Sequence, residues 1–383
     1  MTKKQYERMA KAPGTDNTTI MRGTVVPTVP RDTDRAHYLV VIAGDKPGQR
    51  VRLGGQLVVI GRSEPADWIL PDEQVSRSHC QVCVAFDEVI VVDLESSNGT
   101  FIEGKRLTEG TKLPIGARLQ IGSHVIEHEW CTREEVEESQ ALQHDIEKAG
   151  QYVLSLMPKP LTTGPVRCDW MLLPSSRLGG DAFGYRVVDE RYYAIYLIDV
   201  SAHGAGAAMH AVSVLNILRR GALPVTNFAN PSNVLATLNI MFEMELHGGL
   251  SFSIWYGVYD PKTRRLSFAS AGHHPAFLVP PKLGSAVPLE TRAPVIGVKK
   301  GFEFTTSGID VPPDSRLYVF SDGVFEFATK EQDVWGLDNF VSLMLKPPVA
   351  GKTEPQRLSE EVRRLSVNEN LEDDFALMVF TFP

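Results

Sequence analysis

The pattern of apolar and polar positions divides the chain into four stretches. Residues 1–34 are polar and threonine-rich without apolar periodicity, which predicts a flexible tail. Residues 35–130 contain short apolar runs separated by glycine turns, the pattern of a small all-β sandwich. A helical pattern follows over 131–160, and strand runs mix with helical runs over 161–383. The sequence therefore predicts an N-terminal all-β sandwich, a connecting helix and a C-terminal α+β domain of α-β-β-α layers.

The stretch between the two predicted domains is typical of one long helix. Glutamates crowd its first turns, where the helix dipole favours them, and Pro158 and Pro160 follow its end. Its apolar residues recur at alternating steps of four and three, as a heptad-like seam: Leu142, Ile146, Ala149, Val153 and Leu156. Such a seam fits either packing on a neighbouring domain or pairing with a second chain, which would make the protein a homodimer. Further helices are predicted over 204–220 and 231–247.

Four aspartates stand at the ends of apolar runs or beside glycines, spread over almost two hundred residues: Asp181, Asp199, Asp322 and Asp373. Taken singly, each also fits a turn, a strand-end cap or a solvated loop. Carboxylates held together at the rim of a core repel one another and resist desolvation, so a cation is the usual remedy. Oxygen-only clusters select hard metals such as Mg²⁺ or Mn²⁺. The pattern therefore predicts a metal-dependent hydrolase.

Composition narrows the class of protein further. The chain has 383 residues and a net charge of −8, so it offers no basic stripe for a nucleic acid. No stretch is long enough to cross a bilayer and the N-terminus lacks the apolar region of a signal peptide, which predicts a cytoplasmic protein without membrane partners. Four cysteines in so long a chain do not make a disulfide framework.

Three short motifs follow one another on predicted turns of the β domain: Gly61-Arg62, Ser76-Arg77-Ser78-His79 and Ser96-Ser97-Asn98-Gly99-Thr100. They supply a guanidinium, hydroxyls and an amide, a set of donors suited to a phosphate dianion. These motifs resemble those of the forkhead-associated (FHA) domain, and the resemblance covers about Ala36 to Trp130.

The FHA resemblance implies a role for each polar residue of the motifs. Arg62 and Ser76 are expected to bind the phosphate of a phosphothreonine, with Arg77 and Ser97 helping. Asn98 is expected to hold the backbone of the bound peptide. A protein that carries phosphothreonine is therefore one expected partner.

Five motifs lie in the second half of the chain: Gly179-Gly180-Asp181, Asp199-Val200-Ser201-Ala202-His203-Gly204, Ala271-Gly272-His273-His274-Pro275, Ser321-Asp322-Gly323-Val324-Phe325-Glu326 and Asp373-Asp374-Phe375. In this order they resemble the bacterial SpoIIE branch of the type 2C metal-dependent serine/threonine protein phosphatases. The resemblance covers about 161–383 and takes in the end of the preceding helix. Ala202 stands where the family usually has glycine, and Ser253 where threonine is common.

The phosphatase resemblance implies a β-sandwich flanked by helices that holds two Mn²⁺ or Mg²⁺ ions at one end. The residues it makes metal ligands and catalytic residues are Asp181, Asp199, Asp322 and Asp373. The carbonyl of Val200 supplies a further ligand, and Asp374 is either an alternate ligand or a support behind the ligands. Phosphate monoesters would then be hydrolysed by a metal-activated water, without a protein nucleophile.

Two functions from different classes fit these motifs. The first is a phosphoprotein phosphatase acting on phosphoserine or phosphothreonine and targeted or regulated by its FHA domain. Within this branch, an anti-sigma-factor antagonist is one candidate substrate. The alternative is a phosphopeptide-binding signalling adaptor whose phosphatase-like domain is inactive. Retention of all four acids favours the enzyme, because an adaptor has no chemical need for clustered carboxylates.

Overall fold

The structure is a computed structural model that describes residues 35–175, 178–281, 284–330, 333–367, 371 and 373–383. The predicted tail over 1–34 lies outside the described residues. The chain divides into two compact units, with the boundary between Gln140 and Ala141. In the described part of the chain, no helix is long and apolar enough to span a membrane.

The described residues of the first unit form eleven strands in two sheets. They are β1 (Arg35–Ala43), β2 (Arg50–Leu53), β3 (Val58–Gly61), β4 (Trp68–Ile69), β5 (Cys80–Ala85), β6 (Glu88–Asp93), β7 (Thr100–Ile102), β8 (Lys105–Arg106), β9 (Thr111–Leu113), β10 (Arg118–Ile121) and β11 (His124–Thr132). One sheet has the order β2-β1-β11-β10-β7-β8 and the other β4-β3-β5-β6-β9.

Alternation of side chains along these strands creates the core between the two sheets. In β10, for example, Arg118 and Gln120 are exposed whereas Leu119 and Ile121 are fully buried. Because successive residues of a strand point to opposite faces, this period of two gives each sheet one apolar face. The predicted all-β sandwich is confirmed.

A single helix, α1 (Arg133–Ser155), follows β11 directly. It begins with a capping box: the amide of Glu135 donates to the hydroxyl of Thr132, and the amide of Thr132 donates to the carboxylate of Glu135. The boundary between the two units falls inside α1. Along the predicted seam, Leu142 remains 63% exposed, whereas Leu156, just beyond the helix, is buried.

In the second unit, the described part of the chain forms ten strands and four longer helices. The strands are β12 (Arg167–Leu173), β13 (Asp181–Val188), β14 (Tyr192–Val200), β15 (Phe252–Asp260), β16 (Arg265–Ala271), β17 (Ala276–Val279), β18 (Val287–Leu289), β19 (Ser307–Asp310), β20 (Ser315–Phe320) and β21 (Phe375–Phe382). The helices are α2 (Ala205–Arg220), α3 (Pro231–Met241), α4 (Leu337–Met344) and α5 (Glu354–Leu365).

These elements form four layers. The sheets β13-β14-β15-β16-β19 and β12-β21-β20-β17-β18 are both antiparallel and pack face to face around a shared apolar core. Helices α2 and α3 contact the first sheet, and α5 contacts strands β12 and β21 of the second. This is the α-β-β-α arrangement, so the predicted α+β fold is confirmed.

The structure corrects the predicted helix over 231–247. Asn230 caps its start and Pro231 occupies its first turn, as the sequence indicates. The helix nevertheless ends at Met241, and a separate short 3₁₀ helix spans Met244–Leu246. The chain leaves the helix here because the amide of Met244 donates to the carbonyl of Gly297, far away in the sequence.

Candidate functional site

Two of the predicted metal ligands face each other across neighbouring strands of the second unit. Asp181 opens β13 and Asp199 lies near the end of β14, where the two residues are direct cross-strand partners. Asp181 is only 5% exposed, and its Oδ2 atom is buried without a hydrogen-bond partner among the residues that the structure describes. Like charges placed directly opposite on a sheet destabilise it, so this pair needs a neutralising group.

The other two predicted ligands reach the same end of the molecule from the second sheet. Asp322 opens a short 3₁₀ helix directly after β20, and Asp373 lies two residues before β21. Strands β20 and β21 are antiparallel neighbours, and the amide of Ser321 extends their pairing by donating to the carbonyl of Ala376. The end of one strand and the start of the other therefore bring the two aspartates together.

The pKa values of all four carboxyl groups are raised, and neighbouring acids are among the causes. Burial and the neighbouring Asp199 and Asp374 raise the pKa of Asp181 well above its usual range. Burial, Asp322 and Asp373 raise the pKa of Asp199 to about 7. The pKa of Asp322 rises to about 6 through burial and Asp373, and burial also raises the pKa of Asp373. Each acid is thus held where its negative charge is unfavourable.

These residues fit a hard divalent cation in their chemistry. Within the described residues, no three acidic, imidazole or thiolate side chains lie close enough to ligate one ion as they stand. The donor atoms are nevertheless all oxygens, and the unpartnered Oδ2 of Asp181 faces a like-charged neighbour. Oxygen ligands of this kind suit Mg²⁺ or Mn²⁺.

The carbonyl of Val200 lies beside the first motif. Its oxygen accepts a hydrogen bond from the amide of Ala202 at 2.6 Å. A methyl group on Gly180 would lie only 3.2 Å from this oxygen, so glycine permits the close approach of the two segments. Ala202, which replaces the usual glycine of the motif, is not among the described residues with positive φ, and its side chain is therefore tolerated.

Asp374, the second acid of the doubled pair, is almost fully surrounded by donors. Its Oδ1 accepts hydrogen bonds from the amide and the hydroxyl of Ser175 at 2.8 and 2.9 Å. Its Oδ2 accepts from the amides of Gly180 at 2.7 Å and Asp181 at 3.4 Å. The sequence motifs do not indicate Ser175, because it belongs to none of the five and its partner lies 199 residues away.

A narrow cavity separates these aspartates from the end of α1. Nine residues line it: Gly150, Val153, Leu154, Leu172, Pro174, Leu178, Gly179, Asp181 and Asp374. The last turns of the connecting helix therefore border the loop that carries the first motif.

The motif histidine His273 is buried and held in its uncharged form. Burial lowers the pKa of His273 to about 4, and its Nδ1 atom faces the carbonyl of His274 at 2.8 Å. At neutral pH the ring is therefore uncharged and donates to that carbonyl. His203 is exposed, and its charge lowers the pKa of Asp373 against the larger effect of burial.

In the first unit, the predicted phosphate-binding residues lie on neighbouring turns. The hydroxyls of Ser76 and Ser97 are 3.5 Å apart, and the amide of Ser97 donates to the Ser76 hydroxyl at 3.1 Å. The side-chain amide of Asn98 donates to the carbonyl of Gln74 at 2.7 Å. Arg62 and Arg77 are both exposed, and neither guanidinium forms an ion pair with a described residue. The structure thus brings hydroxyl and amide groups of different motifs to one face.

A buried histidine fixes these turns. His79 accepts a hydrogen bond from the amide of Ser76 at its Nδ1 atom, and its Nε2 lies 3.1 Å from the carbonyl of Gly99. A methyl group on Gly61 would come within 2.0 Å of the carbonyl oxygen of Arg77, so only glycine fits there. The binding turns are therefore held in place before any ligand arrives.

Protein-family models match both units of the chain, each over all or most of the residues that form its candidate site. Residues 189–383 match the family described as Stage II sporulation protein E (SpoIIE), and residues 58–122 match the FHA domain. The chain belongs to the SpoIIE family. It combines an N-terminal FHA domain with a C-terminal phosphatase domain of the SpoIIE, PP2C-like type. Asp199, Asp322 and Asp373 lie within the matched SpoIIE region, whereas Asp181 lies just before it.

Individual relatives match the two domains separately. The phosphoserine phosphatase RsbP of Bacillus subtilis (strain 168) is 27% identical over 186 residues, which are 48% of this chain and 45% of RsbP. The FHA domain-containing protein FhaB of Mycolicibacterium smegmatis (strain ATCC 700084 / mc(2)155) is 38% identical over 107 residues, 28% of this chain and 68% of FhaB. This SpoIIE-family chain thus spans about half the length of RsbP.

A solved structure supports the fold of the second domain. The SiaA-PP2C domain of Pseudomonas aeruginosa superposes with a TM-score of 0.54 at 16% identity, covering 64% of this chain and 99% of that domain. Phosphatases of the PP2C type are typically metal-dependent, which agrees with the oxygen-rich site of this SpoIIE-family protein.

Proposed function

We propose that this chain is a metal-dependent phosphoprotein phosphatase that removes phosphate from serine or threonine side chains. One observation carries the proposal. The buried Asp181, the half-buried Asp199 and Asp322 and the exposed Asp373 lie at one end of the β-sandwich, and the Oδ2 atom of Asp181 has no hydrogen-bond partner among the described residues. RsbP, a relative over this domain, is named a phosphoserine phosphatase. An inactive scaffold would have no need for such an unfavourable arrangement.

Each residue of this site has a proposed role in holding the metal ions. Asp181, Asp199, Asp322 and Asp373, with the carbonyl of Val200, would hold two Mn²⁺ or Mg²⁺ ions, as the sequence predicts. When bound, such ions supply an activated water and neutralise the charge of the phosphoryl group. The β13–β14 pair fixes Asp181 opposite Asp199, and the β20–β21 pair fixes Asp322 close to Asp373. No protein nucleophile is needed.

We propose further that the FHA domain binds a phosphothreonine-bearing protein. Arg62 and Arg77 would supply charge to the phosphate, Ser76 and Ser97 hydroxyl donors, and Asn98 a contact to the peptide backbone. The exposure of both guanidiniums and the short distance between the two hydroxyls support this assignment. Arginine pairs well with phosphate because its planar fork can donate two hydrogen bonds at once.

The catalytic proposal is tested by Mn²⁺-dependent hydrolysis of p-nitrophenyl phosphate and of phosphoserine and phosphothreonine peptides. Asp199→Asn and Asp322→Asn should each abolish most of the turnover. Asp189→Asn is a matched control, because Asp189 lies in the β13–β14 turn with φ 50°, a conformation that asparagine tolerates. Absence of metal-dependent turnover in the parent protein, or turnover in both site variants equal to that of the parent, would favour the phosphopeptide-binding adaptor instead.

The proposal extends to the natural substrate and to the oligomeric state of the protein. An anti-sigma-factor antagonist phosphorylated on serine is the candidate substrate that the family resemblance suggests.

The exposed Leu142 on the seam of α1 supports pairing of two chains through this helix. Light scattering should show a dimer that Leu142→Lys converts to a monomer, whereas Gln140→Lys, at an exposed neighbouring position, leaves it intact. A monomeric parent protein would remove the pairing.

A further inference from the structure

Both carboxylate oxygens of Asp374 accept hydrogen bonds from neighbouring segments of the chain. A carboxylate offers about four lone-pair sites on its two oxygens. Oδ1 of Asp374 accepts from the amide and hydroxyl of Ser175, and Oδ2 accepts from the amides of Gly180 and Asp181. A methyl group on Gly179 would come within 2.3 Å of the same Oδ2, so the chain wraps closely around this side chain. Four donors therefore fill four sites.

The backbone of Asp374 connects to the two other ligand-bearing segments. Its carbonyl accepts from the hydroxyl of Ser321 at 2.9 Å, and that hydroxyl in turn accepts from the amide of Ala376. A methyl group on Gly323 would approach the carbonyl oxygen of Asp374 to 2.3 Å. The amide of Asp374 donates to the carboxylate of Asp373 at 2.8 Å. One residue thus contacts the neighbours of Asp322, the carboxylate of Asp373 and the amide of Asp181.

We propose that Asp374 is a positioning residue: it fixes Ser175, the Gly180–Asp181 segment and the turn around Asp322 so that the ligand carboxylates face a common cation site. This inference rests on the proposed function for its biological meaning, but its structural content can be tested without turnover. It replaces the alternative in which Asp374 is itself an ion ligand.

The role requires a carboxylate and not merely a polar side chain. An asparagine could accept the two hydrogen bonds of Ser175 with its one carbonyl oxygen. Its amide group would then point hydrogen atoms at the amide of Gly180, which lies 2.7 Å from Oδ2 in the structure. Two donors facing each other in a buried position cannot be satisfied. Asp374→Asn is therefore expected to release Gly180, and with it Ser175, while preserving the size of the side chain.

The decisive experiment is hydrogen exchange on the full chain, in EDTA, with residue-level readout at the amides of Ser175 and Gly180. In Asp374→Asn these two amides should exchange roughly ten- to a hundredfold faster, as expected for loss of hydrogen bonds to a charged acceptor. The matched control is Asp373→Asn, which makes the same chemical change one residue away. It should leave the two amides protected, because Asp373 does not bond to them.

A milder variant keeps the test valid if Asp374→Asn fails to fold. Ser175→Ala removes only the hydroxyl donor, so exchange at Gly180 should rise above that of the parent protein, and unchanged exchange there would contradict the proposal. In the double variant of Ser175 and Asp374 the alanine should add little at Gly180, because Asp374→Asn has already removed the acceptor of that amide.

Manganese binding and turnover separate positioning from ligation. By calorimetry, Asp374→Asn should bind Mn²⁺ roughly ten- to a hundredfold more weakly, the usual cost of losing a group that orients the ligands. At high Mn²⁺ its kcat should recover towards that of the parent protein, whereas Asp373→Asn should not recover. Unchanged exchange at Ser175 and Gly180 in apo Asp374→Asn would overturn the proposal. If no variant and no parent protein turns over substrate, the proposed function fails, but the exchange result still decides the role of Asp374.

Discussion

The two candidate sites of this protein leave opposite charges uncompensated, and they leave them in different surroundings. In the FHA domain, the guanidiniums of Arg62 and Arg77 are exposed, where water solvates them at little cost. In the phosphatase domain, Asp181 is buried opposite Asp199, and the pKa of both acids is raised. Removing an unpaired charge from water costs roughly several kcal/mol of folding free energy, whereas an exposed charge costs almost nothing.

This difference predicts how each site depends on its ligand. The FHA turns are fixed by His79 and should keep the same structure with or without a phosphopeptide. The acid cluster is electrostatically incomplete and should become more stable when a divalent cation neutralises it. One site is therefore a preformed receptor, and the other is a site whose stability is linked to ion binding.

The largest effect is expected from a mutation in the acid cluster, which should impair catalysis without affecting phosphopeptide binding. Asp199→Asn should lower Mn²⁺-dependent turnover by at least about a hundredfold, because it removes a proposed ligand and not merely its support. The affinity for a phosphothreonine peptide should stay unchanged in this variant. Steady-state kinetics and fluorescence anisotropy measure the two quantities on the same preparation, and equal losses in both would indicate general misfolding.

The reciprocal change affects the FHA domain. Arg62→Ala should weaken binding of a phosphothreonine peptide by roughly tenfold or more, because it removes a charged donor to the phosphate. Turnover of p-nitrophenyl phosphate should be preserved. Arg52→Ala, which removes another exposed arginine of this domain, is the matched control and should bind as the parent does. Undiminished binding by Arg62→Ala would place the peptide elsewhere.

Metal addition should stabilise one unit only. At Mn²⁺ concentrations about a hundredfold above Kd, binding contributes roughly 2.7 kcal/mol, which raises the Tm of a domain of this size by roughly 5–11 °C. Calorimetry of the full chain should show one transition that moves with Mn²⁺ and a second that moves only with phosphopeptide. Two transitions that both respond to Mn²⁺ would contradict the contrast between the sites.

A smaller change in stability is expected at Asp260, an acid that forms an ion pair with Arg191. Hydrogen bonds from Arg191, the largest cause, and from Thr263 lower the pKa of Asp260 to about 2. Because this folded-state pKa lies below the unfolded value, the contribution to stability is present above about pH 4 and lost as the pH falls towards 2.

Removal of that acid should therefore have the opposite sign to removal of a ligand. Asp260→Asn should destabilise the metal-free protein by about 1 kcal/mol, a modest value because Arg191 is partly exposed. Asp199→Asn should stabilise the metal-free protein or leave it unchanged, since it removes repulsion. Urea unfolding in EDTA compares the two variants, and destabilisation of similar size in both would show that the ligand aspartates are already compensated.

The sequence predicted the layers of both domains because alternation and helical periodicity are local properties. It also indicated which aspartates belong together, because their motifs resemble those of a known family. It did not predict that the helix from Pro231 ends at Met241, since the bond between Met244 and Gly297 joins distant segments. Nor did it reveal the bonds between Ser175 and Asp374, which span 199 residues and leave no local pattern.

The central claim is that divalent cations are held between acids that lie far apart in the sequence. Anomalous diffraction from crystals soaked in Mn²⁺ tests it most directly. We expect manganese peaks between the carboxylates of Asp181, Asp199, Asp322 and Asp373, with Asp374 still bonded to Ser175 and Gly180. Absence of any peak at saturating Mn²⁺, or carboxylates that turn away from one another, would contradict the account.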